Sequence, residues 1–238
     1  AGIGDEISTF PDYPAEIRAP QGTLGGVSGF QVHIGKGVHT PGDLADVLVA
    51  MNPAALKTNA RYVKKGGVVI IDSDSFRASD LEKAAFTTDD PIQEAGLSHA
   101  QIVPVAITQM VKDSLADSGL DNKSIVRCKN MFALGLVCWL FDRPLEQAQH
   151  LLKNKFAKKP AIYEANAKVM RDGYNYGNNI HASVSTYRVE SAQVKPGIYT
   201  DVNGNTATAW GLIAASEKSG LPLFLSLIHI SEPTRLDV

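Results

Sequence analysis

The sequence has 238 residues, of which 44% are hydrophobic and 20% are charged, and its formal net charge at pH 7 is -2. This composition is typical of folded globular proteins and excludes an intrinsically disordered chain. The small negative charge argues against nucleic acid as a partner, because proteins that neutralise many phosphates carry basic surfaces. No apolar run reaches the roughly 18 residues of a membrane span, so we expect no contact with a membrane and a cytoplasmic location.

A loop rich in proline and glycine lies near the start of the chain, with the sequence PDYPAEIRAPQGTLGGVSGFQVHIG. Gly25 and Gly26 permit a ligand or another chain to approach the backbone closely. Arg18 offers a planar guanidinium group that suits phosphate or carboxylate. The alternative is structural, because an ion pair between Arg18 and Glu16 would simply stiffen the loop.

The elements that follow alternate between strands and helices. Residues 30–34 alternate apolar and polar side chains, which predicts a half-buried strand, and apolar residues 46–52 and 67–72 are typical of central parallel strands. Residues 53–65 between them predict a helix. Another strand is predicted for residues 102–107, and further helices for residues 79–86, 108–117, 123–141, 144–156 and 160–173. This order predicts a three-layer α/β/α Rossmann-like domain with a mostly parallel sheet and a helical C-terminal half.

The composition changes near residue 174. From there to residue 200 no helical period is visible, which indicates a linker, although residues 184–189 could form an edge strand. A helix over residues 206–219 and a strand over residues 221–225 then indicate a second α/β domain. We therefore expect these divisions of the chain: residues 1–180 as the first domain, 181–200 as the linker, 201–225 as the start of a truncated second domain, and 226–238 as a tail.

Residues that leave parallel strands are the first candidates for a functional site, because ligands bind beyond the carboxyl ends of such strands. Asn52, Asp72, Asp74 and Thr108 occupy these positions, and the helix that begins after Asn52 would offer free amides to an anion. The alternatives are a plain helix cap at Asn52 and a capped turn at the two aspartates. Asn130 lies in a largely apolar predicted helix, where its amide must find hydrogen-bond partners, and a tie to a loop is the simplest explanation.

The cysteines and histidines do not indicate a metal site. Cys128 and Cys138 fall in one predicted helix about 15 Å apart, too far to form a disulfide, so we expect both to pack in the core. Two isolated thiols cannot hold an iron–sulfur cluster or a structural zinc, and the histidines lack metal-ligand spacing. Neither GxGxxG nor a Walker motif is present, so nucleotide binding is suggested by the fold class alone.

Seven stretches in a fixed order carry a family resemblance: FPDYPAEIRAPQGTLGGVSGFQVHIG, HTPGDLADVLVAMNPAALKTN, GGVVIIDSDSF, RCKNMFALGLVCWLFDRPLE, KFAKKPAIYEAN, GYNYG and NGNTATAWGLIAASEKSGLPLF. Together they resemble the alpha subunit of 2-oxoacid:ferredoxin oxidoreductases, most closely the 2-oxoglutarate (KorA-type) branch. The resemblance covers about residues 5–225. It implies that residues 1–180 form the gamma domain of that family, followed by the start of a pyrimidine-binding-type domain that helps to cover thiamine diphosphate.

The resemblance also implies a function. A complex of this family decarboxylates a 2-oxoacid, here 2-oxoglutarate or a related acid, and uses coenzyme A and ferredoxin to yield acyl-CoA, CO2 and reduced ferredoxin. Thiamine diphosphate, Mg2+ and the iron–sulfur cluster are held chiefly by a separate beta subunit, so no catalytic residue is assigned to this chain, which we expect to be inactive alone. Candidate contacts to coenzyme A or to the beta subunit are Arg18, Gly25, Gly26, Asn52 and Asn130.

The sequence departs from the family pattern at both ends. Only AGIGDE precedes ISTFPDYPAEIR where the family has a strand and a glycine-rich turn, so we expect the first βα unit to be missing. Residues 226–238 do not resemble the family's substrate segment, and we expect them to be a non-native tail. Two other functions are kept as alternatives, a non-catalytic assembly or binding module and a Rossmann-like nucleotide binder.

Overall fold

The computed structural model describes residues 7–12, 27–35, 44–180 and 202–224, together with positions 184, 186–189, 195, 197–198 and 200. The chain divides into two compact units, residues 1–193 and residues 194–238. Both described sheets and most of the described helices belong to the first unit.

The described strands form two separate sheets. β1 (Ile7–Asp12) and β2 (Gly29–Ile34) pair antiparallel. β3 (Ala45–Ala50), β4 (Val63–Asp72) and β5 (Gln101–Val105) form a parallel sheet in the order β3-β4-β5. The predicted parallel strands and the α/β class of the fold are therefore confirmed. Among the described strands only β4 is central, because β3 lies at an edge of the sheet.

The helices of the first unit alternate with the parallel strands and then follow one another. They are α1 (Pro53–Asn59), α2 (Ala78–Lys83), α3 (Pro91–Glu94), α4 (Ile107–Ser114), α5 (Asn122–Arg127), α6 (Lys129–Leu140), α7 (Glu146–Lys155) and α8 (Pro160–Ile180). Short 3₁₀ turns, Ala60–Tyr62 and Ser73–Ser75, come directly before and after β4.

Helices cover the parallel sheet on both faces, because successive side chains of β4 enter two different cores. Val68 and Ile70 belong to a core shared with α4, α6 and α8. Val69 and Ile71 belong to a second core shared with α1 and α2. All four side chains are buried, which explains why this strand is a continuous apolar run. The predicted three-layer arrangement is confirmed.

The helix predicted for residues 53–65 is wrong in its second half. α1 ends at Asn59, and β4 has already begun at Val63, whose side chain is buried in the core that α1 shares. Lys64 forms an ion pair with Asp46 on the neighbouring strand, with 2.7 Å between Nζ and the carboxylate. Burial of Val63 and this pairing between strands outweigh the helix propensity of the basic residues.

Two further helix boundaries differ from the prediction. The helix expected over residues 123–141 is divided at Cys128 into α5 and α6. The helix expected over residues 160–173 continues to Ile180, so residues 174–180 are helical and do not belong to a linker.

Neither strand predicted after α8 is observed among the described residues. Residues 184 and 186–189 are not in a strand, and residues 221–224 are not either. The backbone N–H of Tyr187 instead donates to the carbonyl of Leu140 at 2.8 Å, and its ring stacks on Phe141 with 5.3 Å between centroids. The hydroxyl of Tyr187 also donates to the carbonyl of Asp46 in β3 at 3.1 Å, so this segment contacts both the end of α6 and the edge of the parallel sheet without forming a strand.

α6 and α8 approach each other closely at glycine positions. A Cβ atom at Gly135 would lie 1.9 Å from the carbonyl oxygen of Met170, and one at Gly173 would lie 2.1 Å from that of Phe132. Real side-chain atoms do not come so near to backbone. The backbones of the two helices therefore touch at positions that only glycine can occupy.

The second unit contains α9 (Gly204–Ser219). Asn203 caps its start by accepting from the backbone N–H of Thr206 at 2.8 Å, and Gly220 ends it in the left-handed conformation with φ 68°. Trp210 and Ile213 on this helix are 56% and 49% exposed. Their apolar surface is therefore only half covered by the described residues.

A carboxylate in α3 fixes the segment that follows α2. Glu94 accepts hydrogen bonds from the backbone N–H groups of Thr87 and Thr88 at 2.8 and 2.9 Å. It also forms an ion pair with Lys57 of α1, with 3.2 Å between the charged atoms. Partial burial raises the pKa of Glu94, but the hydrogen bonds to its charged form outweigh burial and bring the pKa to about 2.

Gly173→Ala should destabilise the first unit by about 1–3 kcal/mol or more, because the new methyl group overpacks the contact between α6 and α8. Urea unfolding followed by circular dichroism measures this change. Gly211→Ala is the matched control, since no heavy atom lies within 4 Å of the added Cβ in α9. Equal unfolding midpoints for the two variants would contradict the close contact.

The stabilisation from Glu94 should be lost between about pH 4.5 and 2, because its pKa falls from 4.5 to about 2 on folding. It is fully present above the higher value and disappears as the pH falls through the lower one. As the pH is lowered through this range, the urea concentration at the unfolding midpoint should therefore fall less in Glu94→Gln than in the wild type. Glu164→Gln, at an exposed position of α8, should keep the wild-type slope.

Candidate functional site

An open cleft of about 600 Å³ lies at the carboxyl ends of the parallel strands. Residues that follow β3, β4 and β5 line it, which is where α/β sheets bind their ligands. Its polar lining residues are Asn52, Asp74, Ser75, Arg77, Asp80, Lys83, Thr108 and Lys129.

Asp72, the last residue of β4, is fully buried behind this cleft. Its carboxylate accepts from the hydroxyl of Ser75 at 2.9 Å and from the hydroxyl of Thr108 at 2.8 Å. The backbone N–H of Thr108 also donates to it at 3.3 Å, and the ammonium of Lys129 lies 3.6 Å away. A buried carboxylate is costly unless it is paired and hydrogen-bonded, and these contacts meet both conditions.

Asp74 has a related role at the start of α4. Its carboxylate accepts from the backbone N–H of Gln109 at 2.8 Å. α4 begins after Ala106, which has no side chain able to cap it. Asp72 and Asp74 therefore satisfy the first amides of α4 from another part of the chain, and negative charge at that end of a helix is favourable. The alternative predicted from the sequence, in which the two aspartates stabilise a turn and cap backbone groups, therefore agrees with their hydrogen bonds.

Three cations line the cleft, and they differ in their surroundings. Lys129, the first residue of α6, is held by Asp72 and keeps 27% of its side chain exposed. Lys83 forms a pair with Asp80 at 3.6 Å. Arg77, just before α2, is exposed and forms no ion pair within the described part of the chain. Arg77 and the exposed part of Lys129 are thus the groups best placed to meet an anion.

Asn52 lines the cleft and also caps α1. Its side-chain oxygen accepts from the backbone N–H of Ala55 at 2.8 Å, and its carbonyl accepts from Leu56 at 3.2 Å. Pro53 has no N–H to offer. The sequence predicted free backbone amides at this helix start. Asn52 accepts from the amides of Ala55 and Leu56, and Pro53 has none, so within α1 the amide of Ala54 is the one left for an anion.

Asn130 does not lie in the cleft. The expectation of a buried amide there is wrong, because Asn130 is exposed on α6. Arg127 and Leu134 are also exposed, and they lie three residues before it and four residues after it. Leu134 lies one turn after Asn130 on the same face of α6, and this face meets solvent. Arg127, at the end of α5 just before it, was the signal in the sequence for this exposure.

The remaining residues proposed from the sequence lie outside the described residues. They are Arg18, Gly25 and Gly26, together with Glu16. Their roles stay predictions.

The two thiols are poor nucleophiles. Cys128 and Cys138 are both free, and burial raises the pKa of each, although Arg143 partly offsets the effect at Cys138. Within the described residues, no group of three or more His, Cys, Asp or Glu side chains is arranged to hold a metal ion. None of the described helices is long and apolar enough to cross a membrane.

Comparison with known proteins shows the family. The family model for pyruvate ferredoxin/flavodoxin oxidoreductases, POR, matches residues 2–176. The chain belongs to this family. The resemblance seen in the sequence motifs is therefore confirmed at the level of the family.

One curated member is similar over nearly the whole chain. The 2-oxoglutarate oxidoreductase subunit KorA of Mycobacterium tuberculosis is 44% identical over 230 residues. The match covers 96% of this chain and 35% of that relative, so the chain spans about a third of the relative's length.

One solved structure supports the fold. The chain is similar to a 2-oxoglutarate:ferredoxin oxidoreductase from Magnetococcus marinus, with TM-score 0.57, 23% identity, and coverage of 80% of this chain and 29% of that one. It is also compared with the gamma subunit of a keto/oxoacid ferredoxin oxidoreductase from Geobacter sulfurreducens, at TM-score 0.49, 22% identity, and coverage of 74% and 82%.

Lys129 and Arg77 are among the cleft residues that were not predicted from the sequence. Lys129 stands in the stretch RCKNM beside Asn130, where nothing marks it as the partner of an aspartate at the end of β4. Arg77 follows the aspartate turn and resembles any exposed arginine. The position of Lys129 depends on a tertiary contact, for which a single sequence gives no local signal.

Asp72→Ala should cost about 2–4 kcal/mol of folding free energy, because it leaves Thr108 and Lys129 without their buried acceptor. Asp74→Ala is the control. It removes a single cap from α4 and should cost about 0.5–2 kcal/mol. Urea unfolding compares the two variants, and a cost for Asp72→Ala no greater than for Asp74→Ala would show that the buried carboxylate does not tie these elements together.

Proposed function

We propose that this chain is part of a 2-oxoacid:ferredoxin oxidoreductase that acts on 2-oxoglutarate. The reaction consumes the 2-oxoacid, coenzyme A and oxidised ferredoxin, and releases succinyl-CoA, CO2 and reduced ferredoxin. The observation that carries this proposal is the 44% identity to the KorA subunit over 96% of the chain. The Magnetococcus marinus enzyme with the same fold is described with 2-oxoglutarate, coenzyme A and succinyl-CoA bound, which supports the choice of substrates.

We assign thiamine diphosphate, Mg2+ and the iron–sulfur cluster to a beta subunit. The described residues offer no metal-ligand cluster for Mg2+ or for the iron–sulfur cluster, and burial raises the pKa of both thiols. We also propose a cytoplasmic location for the complex.

The cleft is proposed to bind the phosphates of coenzyme A. Arg77 presents a guanidinium fork that suits phosphate oxygens. Lys129 is oriented by Asp72, so its ammonium is held at the cleft before a ligand arrives. Asn52 lines the same cleft and orders the start of α1.

The other residues proposed from the sequence fit a different role. Arg18, Gly25 and Gly26 remain candidate contacts to coenzyme A or to the beta subunit. Asn130 is exposed on α6 and away from the cleft lining, which favours a subunit contact over a ligand contact.

Co-expression tests the enzyme proposal. The natural gene that encodes this sequence is expressed together with a gene for a beta-type subunit. The resulting complex should reduce ferredoxin or methyl viologen only when 2-oxoglutarate and coenzyme A are both supplied.

Arg77→Gln should raise the KM of this complex for coenzyme A by about 10- to 100-fold, which is the effect of losing a charge-assisted hydrogen bond. The KM for 2-oxoglutarate should stay unchanged.

Arg171→Gln is the matched control for this measurement, since Arg171 is exposed on α8 and does not line the cleft. If Arg77→Gln behaves like this control, coenzyme A does not bind in the cleft. If the complex assembles and shows no reduction that depends on a 2-oxoacid, the enzyme proposal fails and a non-catalytic assembly module takes its place.

A further inference from the structure

Four lysines surround the turn between α7 and α8, and we refer to Lys153, Lys155, Lys158 and Lys159 as the lysine turn. All four are exposed. No aspartate or glutamate occurs between Glu146 and Glu164, although the whole chain has a formal net charge of -2. Positive charge is thus concentrated in one short segment of a slightly acidic protein.

The lysine turn forms no ion pair with the described residues. The ion pairs between described residues of the first unit involve other lysines, which lie in α1, at the cleft, in β4 and along α8. An open depression of about 330 Å³ lies within the turn, lined by Lys155, Lys158 and Lys159 together with Asn154, Phe156 and Ala157. The ammonium of Lys155 lies 5.7 Å from the ring centroid of Phe156. Three cations therefore border one depression that faces solvent.

Stabilisation of helix ends explains the positions of only two of these four lysines. Lys153 and Lys155 lie in the last turn of α7, where positive charge is favourable. Lys158 and Lys159 directly precede Pro160, the first residue of α8, where positive charge is unfavourable by the same rule. The carbonyl of Lys159 accepts from Ile162 and Tyr163, so a lysine occupies a position where a capping side chain would stabilise the helix.

An exposed apolar side chain accompanies the charges. Leu151 is 68% exposed on α7 and lies four residues before Lys155, on the same helix face. A leucine among lysines suits a protein surface, which offers an apolar contact within a charged rim. The small size of the patch does not suit nucleic acid, whose binding proteins neutralise many phosphates along an extended surface.

We propose that the lysine turn docks the acidic face of a protein partner in a transient complex. Lysines are strongly hydrated point charges on flexible stems, and they accelerate encounter and fix orientation without requiring slow release. The proposal rests on the proposed function in its choice of partner. In such an enzyme the protein that accepts electrons must dock and leave in every turnover, so that acceptor is the partner we assign.

A triple variant with Lys155→Gln, Lys158→Gln and Lys159→Gln tests this docking in the assembled enzyme. The KM for ferredoxin should rise about tenfold at low salt, and the difference should vanish at high salt, because screening removes steering by surface charge. The rate with methyl viologen should not change, because this small cationic dye needs no acidic face. The matched control, Lys65→Gln with Lys112→Gln and Lys123→Gln, removes three exposed charges elsewhere and should keep the wild-type KM.

Four outcomes would overturn the proposal. An unchanged KM for ferredoxin, or an equal change in the control, shows that the lysine turn does not dock the acceptor. Loss of assembly with the beta subunit shows a subunit contact, and a raised KM for coenzyme A shows a phosphate site.

If the wild type reduces neither acceptor, the proposed function has failed, and the patch is tested with the chain itself. Binding of poly-L-glutamate should then be at least about fivefold weaker in the triple variant than in the control. Weaker binding of heparin alone would identify a different class of polyanion and overturn the proposal.

Discussion

The buried carboxylate of Asp72 connects the elements that build the cleft. It ends the central strand β4, and it binds both the start of α4 through Thr108 and the start of α6 through Lys129. A carboxylate with no exposed surface would be strongly unfavourable without such partners. The positions of the two helices relative to the sheet are thereby tied to the satisfaction of one charge.

The need to neutralise Asp72 also places positive charge at the cleft. Lys129 neutralises Asp72 and remains partly exposed, so part of its charge is already balanced before any ligand arrives. Lys83 is balanced in the same way by Asp80, whereas Arg77 has no such partner in the described part of the chain. The anion-binding capacity of the cleft therefore depends most on Arg77, and the rest of the lining mainly fixes geometry.

The sequence predicted the sheet better than the helix boundaries or the site. β4 was recognisable because its side chains are buried on both faces, which requires a continuous apolar run. The end of α1 was not, because Val63 and Lys64 take their strand conformation from contacts with other elements. The continuation of α8 to Ile180 depends on glycines, which weaken a local helix signal but are required where α6 approaches. Arg18, Gly25 and Gly26 lie outside the described residues, so the part of the site assigned to the opening loop stays a prediction.

The two clusters of positive charge on this chain differ in how their charges are held. In the cleft, Lys129 is held by a buried carboxylate within a concave lining, an arrangement that presents a fixed charge to a small anion at little entropic cost. In the lysine turn, the charges are exposed, flexible and without ion pairs among the described residues, and two of them oppose the dipole of α8. Fixed charge favours affinity for one ligand geometry, whereas flexible exposed charge favours rapid association with a large surface. These differences are the physical basis for proposing a small-molecule site in the cleft and a protein-docking surface at the lysine turn.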